Sequence, residues 1–323
     1  LKEVAVGVEG FLIGHEQDFN AMTGVTVIIP PEGSVGCAMI LGSASSTRQF
    51  DSLLSNHAVS RVDALIFTGG SAFGLEVSSG VMTRLVSKQR GLPTPYGIVP
   101  ICPIAAIFDL SIGDPTGRPS SDMAARAFDS ASKQTPLGSV GAGAGATIGK
   151  LLGIACAMKG GFGWASMKIP DGSSVGVGVV VNAYGDVVDP TSDKIIAGAR
   201  DPQNPHQLLN ASKHLMKGKD RPKAAYENTV LACVATDADL NRDMAFLVAR
   251  MASAGLARAI NPCHSPFDGD ILAVLSSGKK SADPLVVGSA ASHLLSMAIV
   301  EAIKNADGIG FVPDFKSIGN LST

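Results

Sequence analysis

Residues 225–240 read AYENTVLACVATDADL, and the polar run Glu227-Asn228-Thr229 abuts a stretch that reads as a buried strand. A hydroxyl placed there can attack a carbonyl if some base takes its proton. Were the Asn228–Thr229 peptide bond to break, the freed α-amine of Thr229 would be that base, with a reference pKa of about 7.7 to 8.0. Nucleophile and proton acceptor would then belong to one residue, which needs no histidine. Threonine also suits the first position of any strand, so an ordinary strand entry stands beside this reading.

A second polar anomaly has the same setting. Phe267-Asp268-Gly269-Asp270 sits at the mouth of the apolar run ILAVLSSG. In extended backbone, carboxylates two apart lie on one face, close enough to perturb each other's ionisation. A solvated turn around the Asp-Gly step is the alternative. Two strand mouths that each carry misplaced polar residues could converge on one site.

Three other motifs invite chemistry less well. In GSVGAGAGATIGK (138–150), Gly141-x-Gly143-x-x-Ala146 fits the dinucleotide fingerprint loosely, but Pro136 and Gly138 stand where a strand should lead in. The Walker spacing fails at Ala144 and Leu151. The expectation is a loop whose backbone amides, with Lys150, approach a reacting carbonyl. Ser71 in TGGSAFG sits on a strand-to-helix turn, yet Phe73 occupies the position where a nucleophile elbow needs glycine. The six histidines (His15, His57, His206, His214, His264 and His293) show no metal-ligand spacing and read as surface or core residues. Neither a metal nor another cofactor is implied.

Apolar residues make up 46% of the 323 and charged residues 17%, which excludes disorder and implies sheets covered on both faces. A net charge of -2, with both signs interspersed, excludes a nucleic-acid stripe or a polybasic lipid anchor. Partners are expected to be small molecules or copies of the chain itself. Five scattered cysteines without a Cys-x-x-Cys pair read as reduced thiols, hence a cytoplasmic protein. There is no long uninterrupted apolar run and no basic-then-apolar leader, so no membrane association is expected.

The elements that must hold these residues mix helix and strand, which predicts an α/β or α+β layered fold. Residues 24–33 read as a strand ended by Pro30-Pro31. Residues 62–88 read as strand, glycine turn and helix, with Phe73, Val77, Val81 and Leu85 on one face. Residues 165–189 form a hairpin turning at Pro170-Asp171-Gly172, with Gly176, Gly178, Val180 and Asn182 on one face of its second arm. That leaves the Asn182 amide beside room made by two absent side chains. Residues 189–228 have the character of a surface linker. A helix from about Leu240 to Ile260, with Met244, Val248 and Met251 facing inward, ends at Asn261-Pro262. The last helix has Asp283 as N-cap and Pro284 at its first position, with Leu294, Ala298 and Ala302 on its apolar face.

In combination, FTGGSAFGLEVSSGVM, VPICPIAAIFDL, GSVGAGAGATIGK, KGGFGWAS, VVVNAYGDV, ENTVLACVATDA and FDGD, in this order from about Val6 to Gly278, resemble the DmpA-type aminopeptidase family. That family includes β-aminopeptidases and the nylon-oligomer (6-aminohexanoate) hydrolase. The resemblance implies an α+β fold, a four-layer αββα sandwich of the DmpA/ornithine acetyltransferase type, over residues 1–323 as a single domain. It implies self-cleavage between Asn228 and Thr229 into chains 1–228 and 229–323, with Thr229 as nucleophile in both the cut and turnover. Asp268 and Asp270 match the acidic pair beside that nucleophile. Lys150 and Asn182 match the lysine and asparagine that complete the site and stabilise the oxyanion, with Lys159 a weaker alternative for the lysine. The resemblance further implies a hydrolase of short peptides or amide oligomers, without cofactor, assembled as a homotetramer. Thr229 and Asp268-x-Asp270 resemble the nylon-oligomer branch, whereas the aminopeptidases of the family typically carry serine and Ser-x-Glu. An exo-acting aminopeptidase and a non-catalytic small-molecule-binding α/β protein are the alternatives.

Overall fold

The computed structural model describes residues 1–218 and 227–319. Ten strands build two five-stranded sheets: β1 (Leu12–Asp18), β2 (Thr23–Ile29), β3 (Val35–Ile40), β4 (Ser46–Arg48), β5 (Leu65–Thr68), β6 (Ile104–Ala106), β7 (Gly161–Lys168), β8 (Ser174–Asn182), β9 (Thr229–Ala238) and β10 (Ile271–Lys280). The first sheet runs β1-β2-β5-β6-β4 and the second β7-β8-β9-β10-β3. Neighbours are antiparallel except β5 with β6 and β9 with β10. The helices among the described residues are α1 (Ser78–Ser87), α2 (Ser121–Asp129), α3 (Ala211–Met216), α4 (Arg242–Ala252), α5 (Ala254–Ala259), α6 (Pro284–Lys304) and α7 (Phe315–Gly319).

Side-chain parity explains the layering. On β9, Val230, Ala232 and Val234 join the core beneath α4, α5 and α6, while Leu231, Cys233 and Ala235 join a second core that also holds Ile28, Leu65 and Phe67 of the other sheet. On β2, Val25, Val27 and Ile29 pack under α1 and α2 in a third core. Both sheets are therefore apolar on both faces, as the low charge content requires. The order of layers is helix, sheet, sheet, helix: an α+β sandwich of αββα type.

Helix starts follow capping chemistry. Ser120, Asn241 and Asp283 accept hydrogen bonds from Met123, Met244 and Leu285 backbone N–H groups, satisfying donors that a first turn cannot. Of the described residues, only α6 forms a helix long and apolar enough to cross a membrane. It packs against β7, β8, α4 and α5, and its Leu294, Ala298 and Ala302 lie in the core as expected.

Several expectations need correction. Phe73 is 62% exposed, because residues 71–77 form a 3-10 segment whose period differs from the helix that follows. Its ring lies under the Arg118 guanidinium instead. Val77, Val81 and Leu85 are buried as expected. The helix expected over 240–260 is two helices joined at Ser253, with Met244 40% exposed and Met251 partly exposed. The room left by Gly176 and Gly178 is filled by the Trp164 indole, which a Cβ at either position would strike. Residues 189–228 are more than a linker: Lys194–Ala197 pairs with Asp186–Asp189, and α3 follows. Residues 219–226 of that stretch lie outside the described residues.

Candidate active site

Sheet register brings the two strand mouths together. Thr229 is the direct partner of Asn182 across β9 and β8, and Asn228 forms a parallel bridge with Asp268 at the entry to β9 and β10. Thr229 shares the parity of Leu231, and Asn182 that of Val180, so both side chains enter the space between the sheets. Lys150, Asn182, Asn228, Thr229, Asp268 and Asp270 are all buried. Such burial of polar groups is tolerated only when they bond one another.

The geometry around Asn228–Thr229 is that of the joined chain, from which a cut would start. Thr229 Oγ1 lies 2.5 Å from the Asn228 carbonyl oxygen and donates to it. The main-chain N–H of Gly269 donates to the same oxygen at 2.8 Å. A Cβ at 269 would lie 2.8 Å from Thr229 Oγ1 and 2.6 Å from the Ala44 carbonyl oxygen, so only glycine fits without displacing the hydroxyl. The arrangement sets a hydroxyl beside a carbonyl already polarised by a fixed dipole.

The carboxylates flank this carbonyl with different partners. Asp268 accepts from the Tyr184 N–H at 3.2 Å, the Ser265 N–H at 2.9 Å and the Ser265 hydroxyl at 2.5 Å. Asp270 accepts from the Val230 N–H at 2.8 Å, and from the His264 N–H and Nδ1 at 3.2 and 2.8 Å. Burial, then the Asp270 charge, push the Asp268 carboxyl up to about 6, against the opposing hydrogen bonds of Ser265 and Tyr184. The mutual perturbation expected of the pair is present at Asp268, and burial excludes the solvated turn. His264 is pushed up to about 10, chiefly by its bond to Asp270.

Lys150 reaches the site through Asn182. Its Nζ donates to Asn182 Oδ1 at 2.9 Å and to the Thr147 carbonyl at 3.0 Å, and burial lowers its pKa to about 7. Asn182 Nδ2 donates to the Glu227 and Phe108 carbonyls, both at 3.1 Å. In the uncut chain, the bonds of Lys150 and Asn182 therefore hold the Glu227 carbonyl rather than that of Asn228. Lys159 is spent on the Gly143, Ala146 and Gly160 carbonyls, each at 3.0 Å, and bonds no residue of the site. The glycine loop departs from expectation as well. Its Gly141 and Ala142 amides bond Gln17 and Thr26, so they are not directed at the Asn228 carbonyl, and Gly269 supplies that donor.

Sequence reasoning missed Gly269, Tyr184, Ser265, Thr147 and His264. Ser265 carried a signal, since a hydroxyl three residues before a carboxylate commonly closes a local turn. His264, at the surface as read, nevertheless bonds Asp270, while His15 lies part-buried between the Thr26 and Thr135 hydroxyls.

Comparison with known proteins agrees with this architecture. A model of peptidase family S58 matches residues 4–309. A protein of Mycobacterium tuberculosis named an uncharacterized aminopeptidase is 34% identical, with 96% of this chain and 96% of that protein covered. A 6-aminohexanoate-oligomer endohydrolase of Paenarthrobacter ureafaciens is 25% identical, with 91% and 84% covered. Among solved structures, an L-aminopeptidase D-Ala-esterase/amidase from Ochrobactrum anthropi, described as a variant of the Ntn-hydrolase fold, superposes with TM-score 0.70 at 17% identity over 97% of this chain and 91% of that one. A Burkholderia β-aminopeptidase gives TM-score 0.68 at 20% identity, over 94% and 86%.

Proposed function

The chain belongs to peptidase family S58 and is a hydrolase of peptide and amide bonds, and on that premise we propose that Thr229 is its nucleophile, released by self-cleavage after Asn228. The observation that carries this is the Asn228 carbonyl oxygen, bonded at once by the Thr229 hydroxyl at 2.5 Å and the Gly269 N–H at 2.8 Å.

In the cut, Thr229 Oγ1 attacks the Asn228 carbonyl carbon while its proton passes to the Thr229 nitrogen. The C–N bond breaks, leaving an ester on Oγ1, which water hydrolyses to an Asn228 carboxylate and a free Thr229 amine. The Gly269 N–H stabilises the oxyanion of the first step, in a site where no reorganisation is needed. In turnover the α-amine takes the Oγ1 proton, Oγ1 attacks a substrate amide, and the leaving amine departs with that proton. Water then releases the acyl group. Asp270, by binding the Val230 N–H, fixes the strand start beside the amine. Asp268, titrating near pH 6, is suited to exchange protons with it.

The proposed substrates are short peptides or amide oligomers of the 6-aminohexanoate kind. An exo-acting aminopeptidase is the second reading, favoured by the higher identity to the mycobacterial protein named an aminopeptidase than to the endohydrolase. Release from free-amine but not from N-blocked oligomers would select it.

Denaturing electrophoresis with intact-mass measurement tests the nucleophile. Active protein is expected as chains 1–228 and 229–323, and Thr229→Ala as one uncut, inert chain. Activity in Thr229→Ala, or in uncut protein, overturns the proposal.

A further inference from the structure

We propose that His264 is a positioning residue for this reaction: through Nδ1 and its main-chain N–H, both on one oxygen, it fixes Asp270 in place and leaves Asp268, whose donors are all neutral, as the member of the carboxylate pair that gains and loses a proton. The inference rests on the Thr229 reading. Two buried carboxylates separated by one glycine resist being ionised together, so whichever has the better cationic partner keeps the charge. Here the partners differ in kind. The donors to Asp268 are Ser265 and backbone amides, all neutral. Asp270 Oδ2 receives both the ring Nδ1 and the main-chain N–H of His264. A hydrogen bond from an imidazolium is about twice as strong as one between neutral groups.

The backbone is shaped for this double contact. His264 has φ 53°, in the left-handed region that non-glycine residues enter seldom, and the turn there brings its N–H and its ring onto one oxygen. The ring is 27% exposed whereas the Asp270 side chain is 2% exposed, so the imidazole links a buried carboxylate to the surface. The titratable groups acting on the ring are Asp270 and the Cys263 thiol. Those acting on Asp268 and its neighbourhood are Asp270, the Lys150 ammonium and the Tyr184 phenol.

His264→Gln keeps a donor and removes the charge. Without the cation the pair holds its proton more tightly, so the acid limb of kcat/KM is expected to move up by about one unit, with kcat at about pH 5 falling about tenfold and KM within about twofold of wild type. A wild-type pH profile in His264→Gln overturns the inference. Should that variant not fold, histidine ring NMR on uncut Thr229→Ala decides. The His264 resonance is expected to remain that of an imidazolium past about pH 8, and titration near the ordinary value of about 6.5 overturns the assignment. The two readings fail separately. Activity in Thr229→Ala removes the nucleophile, whereas inert Thr229→Ala with an unshifted His264→Gln profile removes only the role of His264.

Discussion

The N–H of Gly269 points at the carbonyl oxygen of Asn228 from 2.8 Å, and the carbon to which it belongs leaves no space for a methyl beside Thr229. One residue thus polarises the bond and shapes the pocket of the Thr229 hydroxyl.

Gly269→Ala tests that pairing. The added methyl meets the Ala44 backbone oxygen and Thr229 Oγ1 at under 3 Å, so either the hydroxyl or the N–H must shift. Loss of one oxyanion donor costs about 10²- to 10³-fold, and a partial shift is expected to slow self-cleavage by at least about tenfold. A time course of the uncut band on denaturing gels measures it, and wild-type kinetics would remove the donor role.

Thr229→Val keeps the shape of the side chain and removes the hydroxyl. The protein is expected to fold, remain uncut and hydrolyse nothing, while Thr229→Ser should still cut and turn over. Because Thr229 is buried, loss of its hydrogen bond to Asn228 should cost about 1 kcal/mol, readable as a small change in Tm.

The two lysines should separate cleanly. Lys150→Met removes the ammonium that fixes Asn182, and kcat is expected to fall about 10- to 100-fold with Tm changed less. Lys159→Met removes a donor from three buried carbonyls, of which those of Gly143 and Ala146 keep a backbone N–H, and is expected to lower Tm by a few degrees, while the protein that folds keeps its activity per cut chain. The reverse pattern would make Lys159 the lysine of the site.

Asp186 offers a pH test away from the chemistry. Burial pushes its carboxyl up to about 7, although the Ala199 and Ala211 N–H groups bond it. A folded-state value above the ordinary one means that its stabilisation is complete below about pH 4 and is lost as pH rises through about 7. Asp186→Asn no longer titrates, so the fall in unfolding free energy between about pH 5 and about pH 8 should be smaller than in wild type, by an amount of the order of 1 to 3 kcal/mol. An unchanged difference would show that Asp186 is ionised at no such cost.

Much of this was legible in residue order because parity is local. The alternation VLACVA after Thr229 says which side chains meet the helices and which meet the other sheet, and polar residues at an apolar strand's mouth stand out against it. The partners of those residues were not legible. Tyr184 and Asp268 are 84 residues apart, and only the strand order in the sheet brings them together. Gly269 was hidden by its resemblance to an ordinary Asp-Gly turn. Trp164 was hidden because a gap between glycines says nothing about what enters it. Phe73 and Met244 misled because a four-residue period was extended across a 3-10 segment and onto an exposed helix face.

Strand order in the second sheet carries one more consequence for a chain severed after Asn228. Its third and fourth strands, β9 and β10, belong to the segment after Asn228, while β7 and β8 on one side and β3 on the other belong to the segment before it. The halves are laced like the fingers of clasped hands: neither could leave without stripping ladders on two flanks, so a nick there would free an amine yet liberate no piece. A molecule so severed and then melted would have to re-thread two strangers where it first had a single continuous string.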